Sequence, residues 1–245
     1  MRMGMPSVFS LIGKAWSFAM HQKVIRESAF WLFIVPGTIL GTVSSAVDSA
    51  KDHPEFPALT VLNILLALPL IVLSYWGMAS ILVAGRRLLK SSAGRTRTSF
   101  RAVRKAATHF VLPLLFTDIL RTAHIILWSL LLIIPGIIAF LRTILIPVII
   151  ISEGRTMRAA LRRSQEILRG RLLRTLWYMI AFGGFLFLPA VATDFFLLSV
   201  LQNGISLWMI LIRESVISAL YAIATTLFLL CLILLYKEWT KKTNA

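Results

Sequence analysis

The chain has 245 residues, of which 58% are hydrophobic and 15% charged, with a mean hydropathy of +0.83. Soluble domains carry about 45–50% apolar and about 25% charged residues, so this composition excludes a soluble globular domain and a disordered chain. The formal net charge is +16, from 26 Lys and Arg against 10 Asp and Glu. Taken alone, that balance would indicate nucleic acid or another acidic partner, so the placement of the charges decides its meaning.

Long apolar segments predict six membrane-spanning helices, because crossing a hydrocarbon core of about 30 Å takes about 20 apolar residues. The apolar segment from Phe110 to Ile151 would reach about 63 Å as one helix, so we expect a break at Pro135-Gly136. The sequence therefore predicts an all-α integral membrane protein with one membrane domain, residues 1–245. The predicted spans are about 28–47, 58–85, 110–134, 136–152, 174–201 and 213–236.

The basic residues follow this division of the chain. Segments 1–27, 86–109, 152–174 and 237–245 hold 4, 8, 7 and 3 Lys or Arg, which is 22 of the 26. Cytoplasmic loops carry an excess of Lys and Arg, so this pattern predicts that both termini are cytoplasmic. A five-span arrangement would put the arginine-rich segment 152–174 on the other side and is the poorer alternative. The charge then reports orientation in a membrane, and no nucleic-acid partner is expected.

Three basic amphipathic segments, about residues 7–22, 98–109 and 155–170, each precede a pair of spans. They predict three hairpins, each led by a surface helix, although coincidence among basic amphipathic helices is the alternative to a true repeat. Such helices would lie in the inner interface and contact anionic lipid headgroups, at about 1 kcal/mol per basic residue. The candidate headgroup contacts are Arg101, Arg104, Lys105, Arg158, Arg162 and Arg163.

Four polar residues lie inside predicted spans, where each charge costs about 2.5–3.5 kcal/mol at a helix centre. Asp118 and Arg121 are spaced to pair on one helix, and His124 continues the same three-residue spacing. Arg142 of the next span is expected at the depth of His124, which predicts a polar cluster within the bundle. The functional interpretation is an ion, proton or headgroup site. The structural alternative is a pair that fixes helix packing, with Arg142 reaching outward.

Polar residues at the ends of spans are expected to support the scaffold. Glu153 is expected to pair with Arg158 or Arg162, or to accept backbone N–H groups at the start of the third surface helix. On the opposite side of the membrane, Asp194 and Arg213-Glu214 predict an ion pair. The sequence has no zinc-binding histidine pair, no phosphate-binding loop and no G-x-S-x-G turn. No catalytic residue, metal or cofactor is therefore expected.

The segment 131–177 resembles the membrane domain found with bacterial glycerophosphoryl diester phosphodiesterases and related stand-alone inner-membrane proteins. The resemblance implies a six-span helical domain in a bacterial cytoplasmic membrane. It implies no reaction, because catalysis in those phosphodiesterases belongs to a separate metal-binding barrel, and these 245 residues contain no such barrel. The matching elements are Pro135-Gly136, Arg142, Pro147, Glu153-Gly154, Ala160-Leu161, Arg163-Ser164 and Gly170.

These observations predict a non-enzymatic membrane protein, either a lipid- or envelope-associated scaffold or a transporter of a small solute or lipid. The alternative is a membrane-embedded, lipid-active enzyme that uses the region of Asp118 and His124. Membrane lipids with anionic headgroups are the expected partners, and a protein partner or a homo-oligomer is left open. A cavity on which the polar residues converge would favour transport or catalysis, whereas a solid bundle would favour a scaffold.

Overall fold

A computed structural model describes residues 7–49, 56–90, 99–200 and 207–241, and these residues are almost entirely helical. Two π-helical turns, Phe30–Ile34 and Gly183–Phe187, join α2 to α3 and α9 to α10. The helices are α1 (Val8–His21), α2 (Lys23–Ala29), α3 (Val35–Ser49), α4 (Phe56–Lys90), α5 (Phe100–Leu131), α6 (Ile133–Thr143), α7 (Ile146–Glu153), α8 (Met157–Leu168), α9 (Leu172–Phe182), α10 (Leu188–Val200) and α11 (Leu207–Lys241).

Six helical segments of the described chain are long and apolar enough to cross a membrane. The shortest has 21 residues, which meets the requirement of about 20 residues. The prediction of an all-α membrane protein with six apolar spans is confirmed. The segments are Lys23–Asp48, Pro57–Arg86, Phe100–Leu131, Ile133–Glu153, Leu172–Val200 and Trp208–Thr240.

The connection between the third and fourth spans differs from the expected break at Pro135-Gly136. The extended residue is Leu132, with φ −164° and ψ 148°, and α6 already begins at Ile133. Pro135 lies in the first turn of α6, where backbone N–H groups have no partner within the helix, so its missing N–H costs little. The fourth span is itself broken at residues 144–145, and Pro147 lies in the first turn of α7.

Two of the three predicted surface helices are separate elements. They are α1, which Ser7 caps by accepting a hydrogen bond from the Ser10 N–H at 3.2 Å, and α8. The predicted helix at 98–109 is instead the first part of the continuous helix α5. Pro113 lies within α5 without ending it, as prolines often do in membrane helices whose neighbours satisfy the freed backbone groups.

The first and third hairpins share a further feature. Each has a π-helical turn within its first span, and Pro36 and Pro189 each follow that turn by two residues. In a π-helical turn the backbone hydrogen bonds join residues five positions apart in place of four, and here this change precedes a proline, which has no backbone N–H to donate. Each hairpin then ends in a helix of 35 residues, α4 or α11. The second hairpin has neither feature, so the described geometry supports a repeat for the first and third units alone.

The densest packing lies near the predicted cytoplasmic ends of the spans. Buried segments of α4, α7 and α11 meet there, including Ile81, Ile149 and Leu230, each 0% exposed. Helix α8 covers this region through its buried face, which includes Ala160 and Ile167. Elsewhere the spans present large apolar side chains outward, as lipid-facing helices do.

Gly136 allows α6 to fold back closely onto α5. A Cβ atom at this position would lie 3.0 Å from the Ser129 Cα and would overlap the Ser129 hydroxyl. We expect Gly136→Ala to lower the free energy of unfolding by about 1–3 kcal/mol, as overpacking of a core does. Thermal unfolding in detergent, followed by circular dichroism, measures this change.

The matched control is Gly13→Ala in the exposed face of α1, where an added Cβ meets nothing within 4 Å. That substitution should be neutral or should stabilise the protein by about 0.5–1 kcal/mol, because alanine favours a helix. Equal effects of the two substitutions would contradict the proposed close approach at Gly136.

Candidate functional site

A hydrogen-bonded network around Asp118 joins α4, α5 and α6. The Tyr75 hydroxyl donates to Asp118 Oδ2 at 2.6 Å, and Arg121 Nη1 donates to Asp118 Oδ1 at 3.1 Å. Arg121 Nε also donates to the Thr143 hydroxyl at 3.3 Å, and its guanidinium lies 5.4 Å from the centre of the Phe140 ring. The predicted pairing of Asp118 with Arg121 is therefore confirmed.

This network neutralises its own charges. The Arg121 side chain is 16% exposed, and Asp118, Thr143 and Phe140 surround its guanidinium. Both Asp118 oxygens accept a hydrogen bond, one from a cation and one from a phenol. A neutral, hydrogen-bonded group of this kind can lie in an apolar environment at modest cost and fix the packing of three helices. Sequence reasoning missed Tyr75 and Thr143, because neither carries a charge that marks it within a span.

The expected four-residue cluster is divided in the structure. The His124 ring packs edge-on against Trp128, with 6.2 Å between ring centres. His124 follows Asp118 by six residues, which rotates it about 240° around the helix, so it belongs to another face. Arg142 lines a cleft between α6 and α8, and its carbonyl accepts a hydrogen bond from the Ser164 hydroxyl at 2.7 Å.

That cleft, here called the arginine cleft, lies between α6, α8 and the start of α9 and has a volume of about 390 Å³. Within the described part of the chain, the Arg142, Arg162 and Arg169 guanidinium groups have no hydrogen-bond or ion-pair partner. All three residues are exposed. The cleft is lined by Arg142, Arg162, Gln165, Glu166, Leu168, Arg169, Gly170 and Leu172.

Glu153 is the centre of an ionic cluster at the predicted cytoplasmic ends of the spans. Its carboxylate binds Arg163 Nε at 3.1 Å and Arg155 Nε at 3.0 Å, and it accepts a hydrogen bond from the Tyr236 hydroxyl at 2.7 Å. The hydrogen bond to Glu153 raises the pKa of the Arg163 guanidinium above its ordinary value. The expected pairing of Glu153 with Arg158 or Arg162 is therefore wrong. The face of α8 that carries Arg163 is turned toward Glu153 at the end of α7, and Arg158 and Arg162 are exposed instead.

Other residues of segment 131–177 shape the ends of α7 and α8 and hold α8 against the bundle. Gly154 ends α7 in the left-handed conformation, with φ 71°, and Gly170 takes φ 74° directly after α8. Both angles suit glycine, which has no Cβ to clash. The Met157 N–H donates to the Thr117 hydroxyl at 3.1 Å, and Ser164 bonds to α6. These contacts give the motif residues a structural role.

The predicted ion pair near the other ends of the spans is present. Arg213 Nη2 binds Asp194 Oδ1 at 2.9 Å, and Arg213 Nη1 lies 3.3 Å from Glu214 Oε1. Glu214 also accepts a hydrogen bond from the Ser45 hydroxyl at 3.0 Å and packs against Gly41. This network joins α3, α10 and α11.

A second cleft of about 480 Å³ lies between α3, α4 and α11. Its walls are largely apolar, and the hydroxyl-bearing residues that line it are Ser74, Tyr75, Ser218, Tyr221 and Thr225. Asp118, Arg121 and His124 do not line it. Among the described residues no group of three His, Cys, Asp or Glu is arranged to hold a metal ion.

Loss of the Arg121 guanidinium should destabilise the protein, because it leaves the Asp118 carboxylate with a single donor. We expect Arg121→Leu to lower the free energy of unfolding by about 1–3 kcal/mol. Asp118→Asn in the same chain should recover part of that loss, since it removes the unpaired charge. Thermal unfolding of the single and double variants gives the coupling. A loss of function with unchanged stability would instead support the functional interpretation of this network.

The hydrogen bond from Tyr236 to Glu153 should contribute about 1 kcal/mol of stability. We expect Tyr236→Phe to lower the midpoint of thermal unfolding. The control is Tyr221→Phe in the same helix, because the Tyr221 hydroxyl has no hydrogen-bond partner within the described residues. Equal shifts for the two variants would contradict the role given to Tyr236.

Comparisons of the chain with protein-family models, with curated proteins and with solved structures found no match.

Proposed function

We propose that this protein is a non-enzymatic membrane module that associates with anionic lipids at its cytoplasmic face. The observation that carries the proposal is that the charged pair within the spans is neutralised by protein groups, whereas most basic residues of α5 and α8 are exposed. The Asp118–Arg121 pair within the spans is satisfied by protein groups. The basic residues of α5 and α8 that were predicted to contact headgroups are mostly exposed, namely Arg101, Arg104, Lys105, Arg158 and Arg162.

Exposed arginines in that position suit headgroup binding. A guanidinium matches the two oxygens of a phosphate, and its long side chain can reach the interface from a helix that lies beneath it. Arg104 also lies 5.3 Å from the centre of the Trp76 ring, and tryptophan favours membrane interfaces. Arg163 is the exception among the six candidates, because its guanidinium binds Glu153 and Glu166.

The proposal places the protein in a bacterial cytoplasmic membrane with both termini inside. The distribution of Lys and Arg among the connecting segments supports this orientation. The resemblance of the segment 131–177 to the phosphodiesterase membrane domain supports the bacterial membrane. The Asp118–His124 enzyme is disfavoured, since the Asp118 oxygens already have donors and the His124 ring packs on Trp128.

Transport of a small solute or lipid is the second candidate function, and the cleft between α3, α4 and α11 favours it. Its hydroxyl groups and its size of about 480 Å³ suit a small polar or amphipathic molecule. Transfer of a fluorescent lipid across reconstituted vesicles would test this function. Ser74→Phe should fill the cleft and stop the transfer, whereas undiminished transfer would exclude this path.

Lipids retained during purification test the leading proposal. After extraction in mild detergent, mass spectrometry should find anionic phospholipids enriched over their share of the source membrane, because the exposed arginines attract them. High salt during extraction should reduce the enrichment, since exposed charges are screened. A retained fraction with the composition of the bulk membrane would contradict the proposal.

A further inference from the structure

We infer that the arginine cleft is a binding site for the phosphate of an anionic phospholipid headgroup. The inference rests on the proposed function and gives it a location. The cleft combines Arg142 of α6, within a span, with Arg162 and Arg169 of the surface helix α8 and its end. We assign the cleft to the headgroup layer because α8, which forms one of its walls, is the predicted surface helix.

The electrostatics of the cleft favour a bound anion. Three guanidinium groups line it against one carboxylate, that of Glu166. Glu166 Oε2 lies 3.3 Å from Arg163 Nη1, so this carboxylate already has a cation outside the cleft. Like charges brought together repel one another unless an anion lies among them. A phosphate accepts paired hydrogen bonds from the planar guanidinium group, which makes it the matching anion.

The positions of the three arginines are set by the surrounding structure. The bond from Ser164 to the Arg142 carbonyl attaches α8 to α6 beside the cleft. Gly170, with φ 74°, makes the turn after α8 that keeps Arg169 next to the start of α9. The binding of Arg163 to Glu153 fixes the rotation of α8 and leaves Arg162 on the cleft side.

The surroundings favour a lipid over a free phosphate ion. Leu168 and Leu172 form an apolar part of the cleft wall beside Gln165, whose amide can bind headgroup hydroxyls. On the next turns of α9, Leu173 (80% exposed) and Trp177 (67%) line a separate pocket and give this span an apolar outer surface near the cleft. Acyl chains attached to a phosphate in the cleft would lie along that surface. Trp177 has the amphipathic ring that is typical of a membrane interface.

Binding of short-chain lipids to the full chain in detergent tests the inference. The ligands are dioctanoyl phosphatidylglycerol, dioctanoyl phosphatidylcholine and inorganic phosphate, measured by isothermal titration calorimetry. The wild-type chain should bind phosphatidylglycerol at least about ten-fold more tightly than phosphatidylcholine, as expected for several cooperating cations. Arg142→Gln, Arg162→Gln and Arg169→Gln should each weaken that binding about five-fold, and the triple variant should lose the preference.

The matched control is Arg26→Gln, which removes an exposed arginine of α2 that does not line the cleft and is not among the candidate headgroup contacts. It should change the affinity less than two-fold, by about 0.4 kcal/mol or less. Replacing the three cleft arginines by lysine keeps the charge and tests the paired hydrogen bonds if the glutamine variants fold poorly. We expect the lysine variant to bind more weakly than the wild type.

The outcomes separate the site from the function. A wild-type preference for phosphatidylglycerol that persists in the triple variant, or that Arg26→Gln reduces equally, would overturn the site and leave the proposed function standing. Absence of any preference in the wild type would overturn both. Inorganic phosphate that binds as tightly as phosphatidylglycerol would overturn the lipid assignment.

Discussion

The cost of placing a charge in hydrocarbon is the constraint on which this structure depends. Within the spans, Asp118 and Arg121 neutralise each other. Asp118 also accepts a hydrogen bond from the Tyr75 hydroxyl, and Arg121 donates one to the Thr143 hydroxyl. Near the opposite ends of the spans, Arg213 is held between Asp194 and Glu214. The exposed cations Arg158, Arg162 and Arg169, which have no ion-pair partner among the described residues, instead lie on or just after the surface helix α8, where headgroups and water can solvate them. The same constraint therefore accounts both for the ion pairs that join helices within the bundle and for the exposed basic residues on its surface.

Helix α8 forms one wall of the arginine cleft on that basic face. It is polar enough to be a surface helix, yet its buried side packs on α5, α6 and α7 through Ala160, Ser164 and Ile167. Glu153 binds one of its arginines and leaves others free to line the arginine cleft. Segment 131–177 therefore connects the spans to the surface helix α8, and Gly154, Ser164 and Gly170 have structural roles in that connection.

Much of the fold was predictable because hydropathy and charge act locally along the chain. The six apolar helices and the pairing of Asp118 with Arg121 needed no knowledge of neighbouring helices. Other predictions failed for a different reason. The break at Leu132 and the continuity of α5 through Pro113 depend on which backbone groups neighbouring turns can satisfy, and that is decided in three dimensions. The partners of Glu153 depend on the rotation of α8, which its own sequence leaves undetermined.

The sequence by itself determined that the chain is an all-α membrane protein with six apolar spans, since apolar length and composition are enough to require it. The tertiary structure decided what the polar residues do. It separated His124 and Arg142 from the Asp118 network, because helical rotation and the return of α8 place side chains that spacing alone cannot. It also brought Arg142 beside Arg162 and Arg169, which are 20 or more positions away in the chain. Packing between distant segments, which no local pattern encodes, therefore defines the candidate site.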